Sequence, residues 1–203
     1  NDNIGITLFA GESFTQCPLT IDHTALLNLF ENIRIGVIDD GTAIGMGISN
    51  AVARLKDSQA KSKVVILLTD GANNAGDISP LTSAEIAKTY GIRVYTIGIG
   101  TQGTAPYPIQ TMSGAIQRIQ VEVDVDEPTL KDIARITDGE YFRATDNESL
   151  EGIYQEIDKL EKTKLNVKEF SRRQEEYLKY ALAAFLLVLL DVLLRQTVLR
   201  KLP

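Results

Sequence analysis

The stretch Lys63-Val-Val-Ile-Leu-Leu-Thr-Asp70-Gly-Ala-Asn-Asn-Ala-Gly76 constrains the fold of this chain more than any other. Val64 to Leu68 is an unbroken apolar run of bulky residues with no polar face. A run that short, closed by Asp70-Gly71, predicts a parallel strand covered on both sides. Small turn-forming residues follow at once. In open α/β sheets, ligands sit in the crevice beyond the carboxyl ends of the strands. Asp70 is thus expected at a binding edge, although an isolated Thr-Asp-Gly is also an ordinary way to begin a turn.

The second constraint is a length argument. Asp39-Asp-Gly41 breaks the chain, and Ile44, Ile48, Ala51, Val52 and Leu55 then recur at helical spacing. A helix from Thr42 to about Leu55 descends about 20 Å at 1.5 Å per residue. The strand from Lys63 climbs about 23 Å at 3.3 Å per residue. A turn at 57–62 reverses the direction between them. Thr42 and Asp70 therefore return to the same end of the sheet, where a hydroxyl and a carboxylate face one crevice. Gly45 and Gly47 lower helix propensity but allow close backbone approach.

The remaining chain repeats this alternation. Ile4 to Ala10 reads as a strand, and Cys17-Pro-Leu-Thr20 as an extended edge piece. Asp22 is placed to cap a helix to about Ile33, with Ala25, Leu26, Leu29, Phe30 and Ile33 on one face. Pro80 opens a helix to about Tyr90, and Arg93 to Ile99 is a second buried strand. Thr101 to Pro108 reads as an irregular loop, and the alternation across Met112 to Val125 as a hairpin at the rim. A helix from Glu127 ends at Asp138-Gly139, Glu140 to Ala144 is a short strand, and Asn147 to Lys164 a final amphipathic helix. Strands alternating with helices give an α/β class with a doubly wound, mostly parallel sheet.

Composition excludes several functions. The net charge of −6 argues against a nucleic-acid surface, which needs clustered Lys and Arg. With one Cys and one His, the chain has no intrachain disulfide or Cys/His zinc cluster, and the sole His lies away from the strand-end pattern that a Ser-His-Asp or Cys-His set would need. His23 reads as an ordinary, partly exposed residue. Gly98-Ile-Gly100-Thr-Gln-Gly103 matches a dinucleotide fingerprint, but Thr104-Ala-Pro-Tyr-Pro108 cannot form the helix that would meet a pyrophosphate. The strand ending in Asp70 also resembles that of a nucleoside triphosphatase, yet no G-x-x-x-x-G-K-[ST] loop occurs. Hard oxygen ligands at Thr42 and Asp70 suit Mg²⁺, Mn²⁺ or Ca²⁺.

Phe9-Ala-Gly-Glu-Ser-Phe-Thr-Gln-Cys-Pro-Leu-Thr20, Asp40-Gly-Thr-Ala-Ile-Gly45 and Leu67-Leu-Thr-Asp-Gly71 resemble a von Willebrand factor A domain. The ending Leu193-Leu-Arg-Gln-Thr-Val-Leu-Arg-Lys-Leu-Pro203 resembles the tail of membrane proteins of the BatA type, encoded in bacterial aerotolerance operons. The resemblance implies a metal-ion-dependent adhesion site built from Asp-x-Ser-x-Ser, a Thr and an Asp. Thr42 and Asp70 match the last two. The Asp-x-Ser-x-Ser element has no counterpart here, and the chain begins at what resembles the second strand. The expected sheet therefore lacks its first, central strand, and the metal site is incomplete.

The resemblance further implies a protein-binding module rather than an enzyme, engaging an acidic side chain of its partner through the metal. The alternative is a Mg²⁺-dependent hydrolase on a similar sheet. Implied partners are other proteins of the operon, other von Willebrand factor A proteins and a MoxR-type ATPase. The expected organisation is a partial domain at 1–165, a juxtamembrane linker at 166–176, a transmembrane helix at 177–199 and a short basic tail at 200–203. Ala181 to Leu190 is wholly apolar, with Tyr177, Lys179 and Tyr180 before it and Arg195 after it. The likeness places the domain in the periplasm, the helix in the bacterial inner membrane and the C-terminus in the cytoplasm.

Overall fold

The computed structural model describes the backbone of residues 2–34, 36, 38–100, 103–110, 116–123 and 125–197. Side chains are described over the same residues except 103–110, 116–123, 165–179 and 196–197. Among the described residues, seven strands and five helices follow in the order β1 (Ile4–Phe9), β2 (Ser13–Thr20), α1 (His23–Glu31), α2 (Ile44–Leu55), β3 (Val64–Thr69), α3 (Pro80–Thr89), β4 (Arg93–Ile99), β5 (Gly103–Gln110), β6 (Ile116–Val123), α4 (Glu127–Ile136), β7 (Tyr141–Ala144) and α5 (Asn147–Thr197). The chain divides into two compact units, Asn1–Ile157 and Asp158–Pro203.

In the first unit β3, β4 and β7 form a parallel sheet in that order. Each successive strand is reached through a helix: α3 between β3 and β4, α4 between β4 and β7. Right-handed crossovers that always step in one direction put their helices on one face. Accordingly Ile48 and Val52 of α2, Ala84 and Ala87 of α3 and Leu130 and Ile133 of α4 share one core with Val65, Leu67 and Val94. At roughly 1.5–3 kcal/mol per fully buried aliphatic side chain, this face supplies the main apolar stabilisation of the unit.

The expectation that β3 is covered on both sides is only half met. Val65, Leu67 and Thr69 are buried, whereas Val64, Ile66 and Leu68 are half-buried. The buried set faces α2 and α3; the other set faces away from them. Along β4 the corresponding residues Tyr95 and Ile97 are fully buried. Cover on this second face therefore ends at β3.

β1 and β2 form a separate antiparallel pair. Among the described residues β1 has no other strand neighbour, and β3 has none beyond β4. α1 begins as expected, with Asp22 Oδ1 accepting the Ala25 N–H at 3.0 Å. Its apolar residues differ from expectation: no residue of α1 is buried, and Leu27 and Phe30 are each 59% exposed.

The expected loop at 101–108 is in part a strand. β5 pairs with β6 from Gly103↔Val123 to Gln110↔Ile116. Pro106 and Pro108 suggest a loop in the sequence because neither can donate to a ladder. Lying two residues apart, they share one edge of β5, and the ladder is intact when that edge is the outer one. Gly103 opens a strand and not a helix, which agrees with rejecting the dinucleotide fingerprint.

α5 runs on without a break through the expected linker at 166–176. Among the described residues, no helix is long and apolar enough to cross a membrane. The expected span at 177–199 is therefore not shown; of it, side chains are described only over 180–195. The side chains of Tyr177, Lys179 and 198–199, and the basic tail at 200–203, lie outside the described residues. Within 180–195 the apolar side chains point outward on every side, from Leu182 at 59% exposed through Phe185 and Leu187 to Leu193 at 52%. Arg195 Nε pairs with Asp191 Oδ2 at 3.1 Å, one helical turn back.

Candidate functional site at the carboxyl edge of the sheet

α2 starts at this edge, and its start is held from outside the helix. Ala43, the residue before the first turn, has no side-chain oxygen to cap it. Asn73 takes that role, its Oδ1 accepting the Ile44 N–H at 2.8 Å. The neighbouring Asn74 clasps Thr42 twice. Its Oδ1 accepts the Thr42 N–H at 2.8 Å, and its own N–H donates to the Thr42 carbonyl at 3.1 Å. An N-terminal turn left without such partners costs about 1 kcal/mol or more. The residues after Asp70 thus cap the helix that follows Thr42.

Thr42 is brought against the end of β3. Its Oγ1 lies 3.3 Å from where a Cβ would stand on Gly71, the residue directly after Asp70. Glycine at 71 leaves that approach open. Thr42 is half-buried and Asp70 exposed. Thr69, buried at the end of β3, donates its hydroxyl to the Gly71 carbonyl at 3.1 Å and so tightens the turn beneath Asp70. The end of β1 joins the same place. Ala43 N–H donates to Ala10 O at 2.7 Å, and Gly11 N–H to Asp39 O at 2.8 Å. Gly41, at φ +148°, passes so close to Gly11 that a Cβ on it would lie 2.9 Å from the Gly11 Cα.

The donor chemistry at this edge is one hydroxyl and one carboxylate, both hard oxygens suited to Mg²⁺ or Ca²⁺. In number they fall short of the six ligands such ions take. Among the described residues, no group of three or more His, Cys, Asp or Glu is placed to hold a metal ion. Asn73 and Asn74 were not singled out from the sequence. The only signal was an Asn doublet in a turn, which reads locally as turn chemistry.

A second polar cluster lies at the same carboxyl edge, near β7. Glu127, in the first turn of α4, accepts Arg143 Nη1 at 2.5 Å and Lys131 Nζ at 2.9 Å. Arg143 Nε also donates to Gly100 O at 3.0 Å. The Lys131 ammonium, with the Arg143 guanidinium adding to it, holds the Glu127 carboxyl below the usual range. Among the described residues the buried Tyr141 hydroxyl has no hydrogen-bond partner, and burial pushes its pKa up. Arg143 and Glu127 tie together the two roots of the segment that contains β5 and β6. We read this cluster as structural.

The unit is an α/β domain with a parallel sheet whose carboxyl edge gathers Thr42, Asp70 and the first turn of a helix. The family model for the von Willebrand factor type A domain matches residues 1–156, and the chain belongs to that family. An uncharacterized protein of Borreliella burgdorferi is 28% identical over 189 residues, which are 93% of this chain and 55% of that protein. The chain spans about half the length of the curated relatives it matches.

Among solved structures, the conserved hypothetical protein BatB from Bacteroides thetaiotaomicron superposes with a TM-score of 0.67 at 30% identity, over 80% of each chain. An aerotolerance-related membrane protein from Bacteroides fragilis gives 0.63 at 30% identity, over 78% of this chain and 80% of that one. Proximal thread matrix protein 1 from the mussel byssus, solved with zinc in its metal-ion-dependent adhesion site, gives 0.58 at 24% identity. It covers 78% of this chain and 34% of its own, a likeness of fold alone.

Proposed function

We propose that the carboxyl edge at Thr42 and Asp70 belongs to a divalent-cation-dependent protein-binding site of the aerotolerance-protein type, and that the chain is not an enzyme. The observation that carries this reading is the double clasp of Asn74 on Thr42 beside Gly71, which fixes a hydroxyl next to the Asp70 turn. Mg²⁺ is the expected ion, since it keeps exchangeable positions that an acidic side chain of a partner can occupy. Thr42 and Asp70 supply two ligands; the Asp-x-Ser-x-Ser element that would supply more is absent from this sequence. The hydrolase alternative needs a nucleophile or general base at the strand ends beyond Asp70, and a phosphatase assay on the product of the complete reading frame separates the two readings. The partners proposed are other proteins of the operon, including further von Willebrand factor A proteins, and a MoxR-type ATPase.

The exposed apolar girth of α5 over 180–195 supports a membrane anchor at 177–199; the orientation proposed, with the domain in the periplasm and the C-terminus in the cytoplasm, rests on the family likeness alone. Asp191 then meets Arg195 near the cytoplasmic interface, where the pair offsets both charges.

Calorimetry tests the cation reading. Residues 1–203 are expected to bind Mg²⁺ weakly or not at all. The product of the complete reading frame is expected to bind it in a manner abolished by Asp70→Ala and weakened by Thr42→Ala. Tight binding by residues 1–203 alone, or binding by the complete product that is indifferent to Asp70→Ala, would refute the proposal.

A further inference from the structure

β5 and β6 form a ribbon of two antiparallel strands, and among the described residues neither has a third strand beside it. A two-stranded hairpin by itself is marginally stable in water, whereas three or more strands sharing an apolar face hold together. The ribbon lies in the chain between Gly100 and Val125, at the carboxyl end of β4. Its roots are tied to the sheet, since Arg143 Nε donates to Gly100 O at 3.0 Å and Arg143 Nη1 pairs with Glu127.

The two outer margins of the ribbon are unlike. Pro106 is paired with Gln120 and Pro108 with Arg118. A proline has no N–H to exchange, so these are the pairs of the ladder that share no hydrogen bonds. In such a pair the backbone groups of both residues turn outward. β5 therefore presents Thr104, Pro106, Pro108 and Gln110 on its margin, with the two middle donors missing. β6 presents Ile116, Arg118, Gln120 and Glu122, none of them proline. Proline on a margin blocks further pairing, and an unblocked margin invites it. The ribbon is open to growth along β6 alone.

The register also sorts the residues into two faces. Ala105, Tyr107, Ile109, Ile119 and Val121 fall on one face, and Pro106, Pro108, Arg118, Gln120 and Glu122 on the other. Arg118 and Glu122 stand two positions either side of Gln120. Two copies of β6 can pair antiparallel about a twofold axis, where residue i meets residue j and j meets i. With the axis at Gln120, position 118 lies opposite the partner's position 122, and this happens twice. Opposite charges are thereby set directly across the ladder, and Ile119 comes opposite the partner's Val121 on the apolar face. An axis at Arg118 or Glu122 would oppose like charges, which disfavours pairing. An axis at Ile119 or Val121 brings neither charge opposite the other within β6.

We infer that the free margin of β6 is a self-pairing surface: two copies of this chain join β6 to β6 about Gln120, giving a four-stranded antiparallel sheet in the order β5–β6–β6–β5. The blocked margin explains why the assembly stops at two, because Pro106 and Pro108 then close it at both ends. The charge pattern selects a second copy over a strand of other sequence. A foreign strand would satisfy the backbone equally, but only β6 itself is the charge complement of β6 read in reverse. Four strands sharing one apolar face also relieve the weakness of a lone ribbon. The pairing draws on neither the cation site nor α5.

Sedimentation and cysteine cross-linking of the product of the complete reading frame, kept in detergent and free of metal, test the inference. One strand margin is a small interface, so the mass is expected to double as concentration rises to ~100 µM. Mild oxidation should join Gln120→Cys protein to itself, because residues in a hydrogen-bonded pair stand about 5.5 Å apart at Cα, a separation that a disulfide spans. Ile116→Cys should stay unjoined, since its symmetry mate lies eight positions, about 27 Å, away. Cys17 is buried and stays out of both reactions.

Arg118→Glu and Glu122→Arg should each weaken pairing about tenfold or more, by opposing like charges twice. Mixing these two variants, or combining both changes in one chain, should restore it, which also shows that the variants fold. A monomer across the whole range with no Gln120→Cys cross-link would overturn the inference. So would a dimer indifferent to Arg118→Glu, which assigns the pairing to another surface such as α5. Equal cross-linking of Ile116→Cys, or a Gln120→Cys protein that joins only to a different protein, would overturn it as well.

Discussion

Gly45→Ala is the substitution whose cost the structure fixes most sharply. A Cβ on Gly45 would stand 1.9 Å from the Ile78 carbonyl oxygen, 2.8 Å from Ile78 C and 2.9 Å from Ser79 C. All three are backbone atoms, so no side chain can rotate away; either α2 or the turn opening α3 must move. That shift would break the buried bond from Ser83 Oγ to Gly45 O, now 2.7 Å. Overpacking of this kind costs about 1–3 kcal/mol, and a backbone clash belongs at the top of that range. Losing the buried hydrogen bond adds about 1 kcal/mol. Alanine returns about 1 kcal/mol of helix propensity.

The net expectation is a destabilisation of about 3 kcal/mol. For a chain of this size it lowers Tm by roughly 6–12 °C. Gly152→Ala is the internal control, because nothing lies within 4 Å of its Cβ position on α5. It should raise stability by about 0.5–1 kcal/mol. Urea denaturation of both variants beside the parent provides the readout. A Gly45→Ala protein as stable as the parent would mean that α2 and α3 do not approach as closely as described.

Two further outcomes are expected. Glu127 and Asp146 have carboxyls held below their ordinary values, the first mainly by Lys131, the second mainly by the Ser149 backbone N–H. A carboxylate with a folded pKa below its unfolded one stabilises above the unfolded value and loses that contribution as pH falls through the folded one. Melting temperature should therefore fall as pH drops below about 4, and Glu127→Gln with Asp146→Asn should flatten the fall; an unchanged profile in the double variant would contradict this. In spheroplasts, added protease should digest the domain while sparing a C-terminal tag, and a protected domain with a cleaved tag would reverse the proposed topology.

What the sequence disclosed depended on the range over which each signal acts. The apolar runs of β3 and β4 and the spacing in α2 and α4 reflect burial against neighbours, and periodicity reports burial directly. The meeting of Thr42 with the Asp70 turn came from rise per residue alone. The role of Asn73 was hidden because capping rules look at the residue just before a helix, and this cap comes 29 positions later. β5 was hidden because proline is read as a breaker unless its edge is known. The uncovered apolar side of α1 shows the converse failure: amphipathic spacing says that a face wants cover, but not whether the cover is present.

Pro106 and Pro108 give the protein two strand margins of opposite character. The ribbon of β5 and β6 is finished along β5: this proline-bearing margin has no amide to offer at either position, so no further strand can grow from it there. The margin of β3 offers amides at Val64, Ile66 and Leu68, because the Lys63 carbonyl faces β4 and the backbone alternates from it. An incoming strand therefore finds donors along the β3 margin and none at the two proline positions.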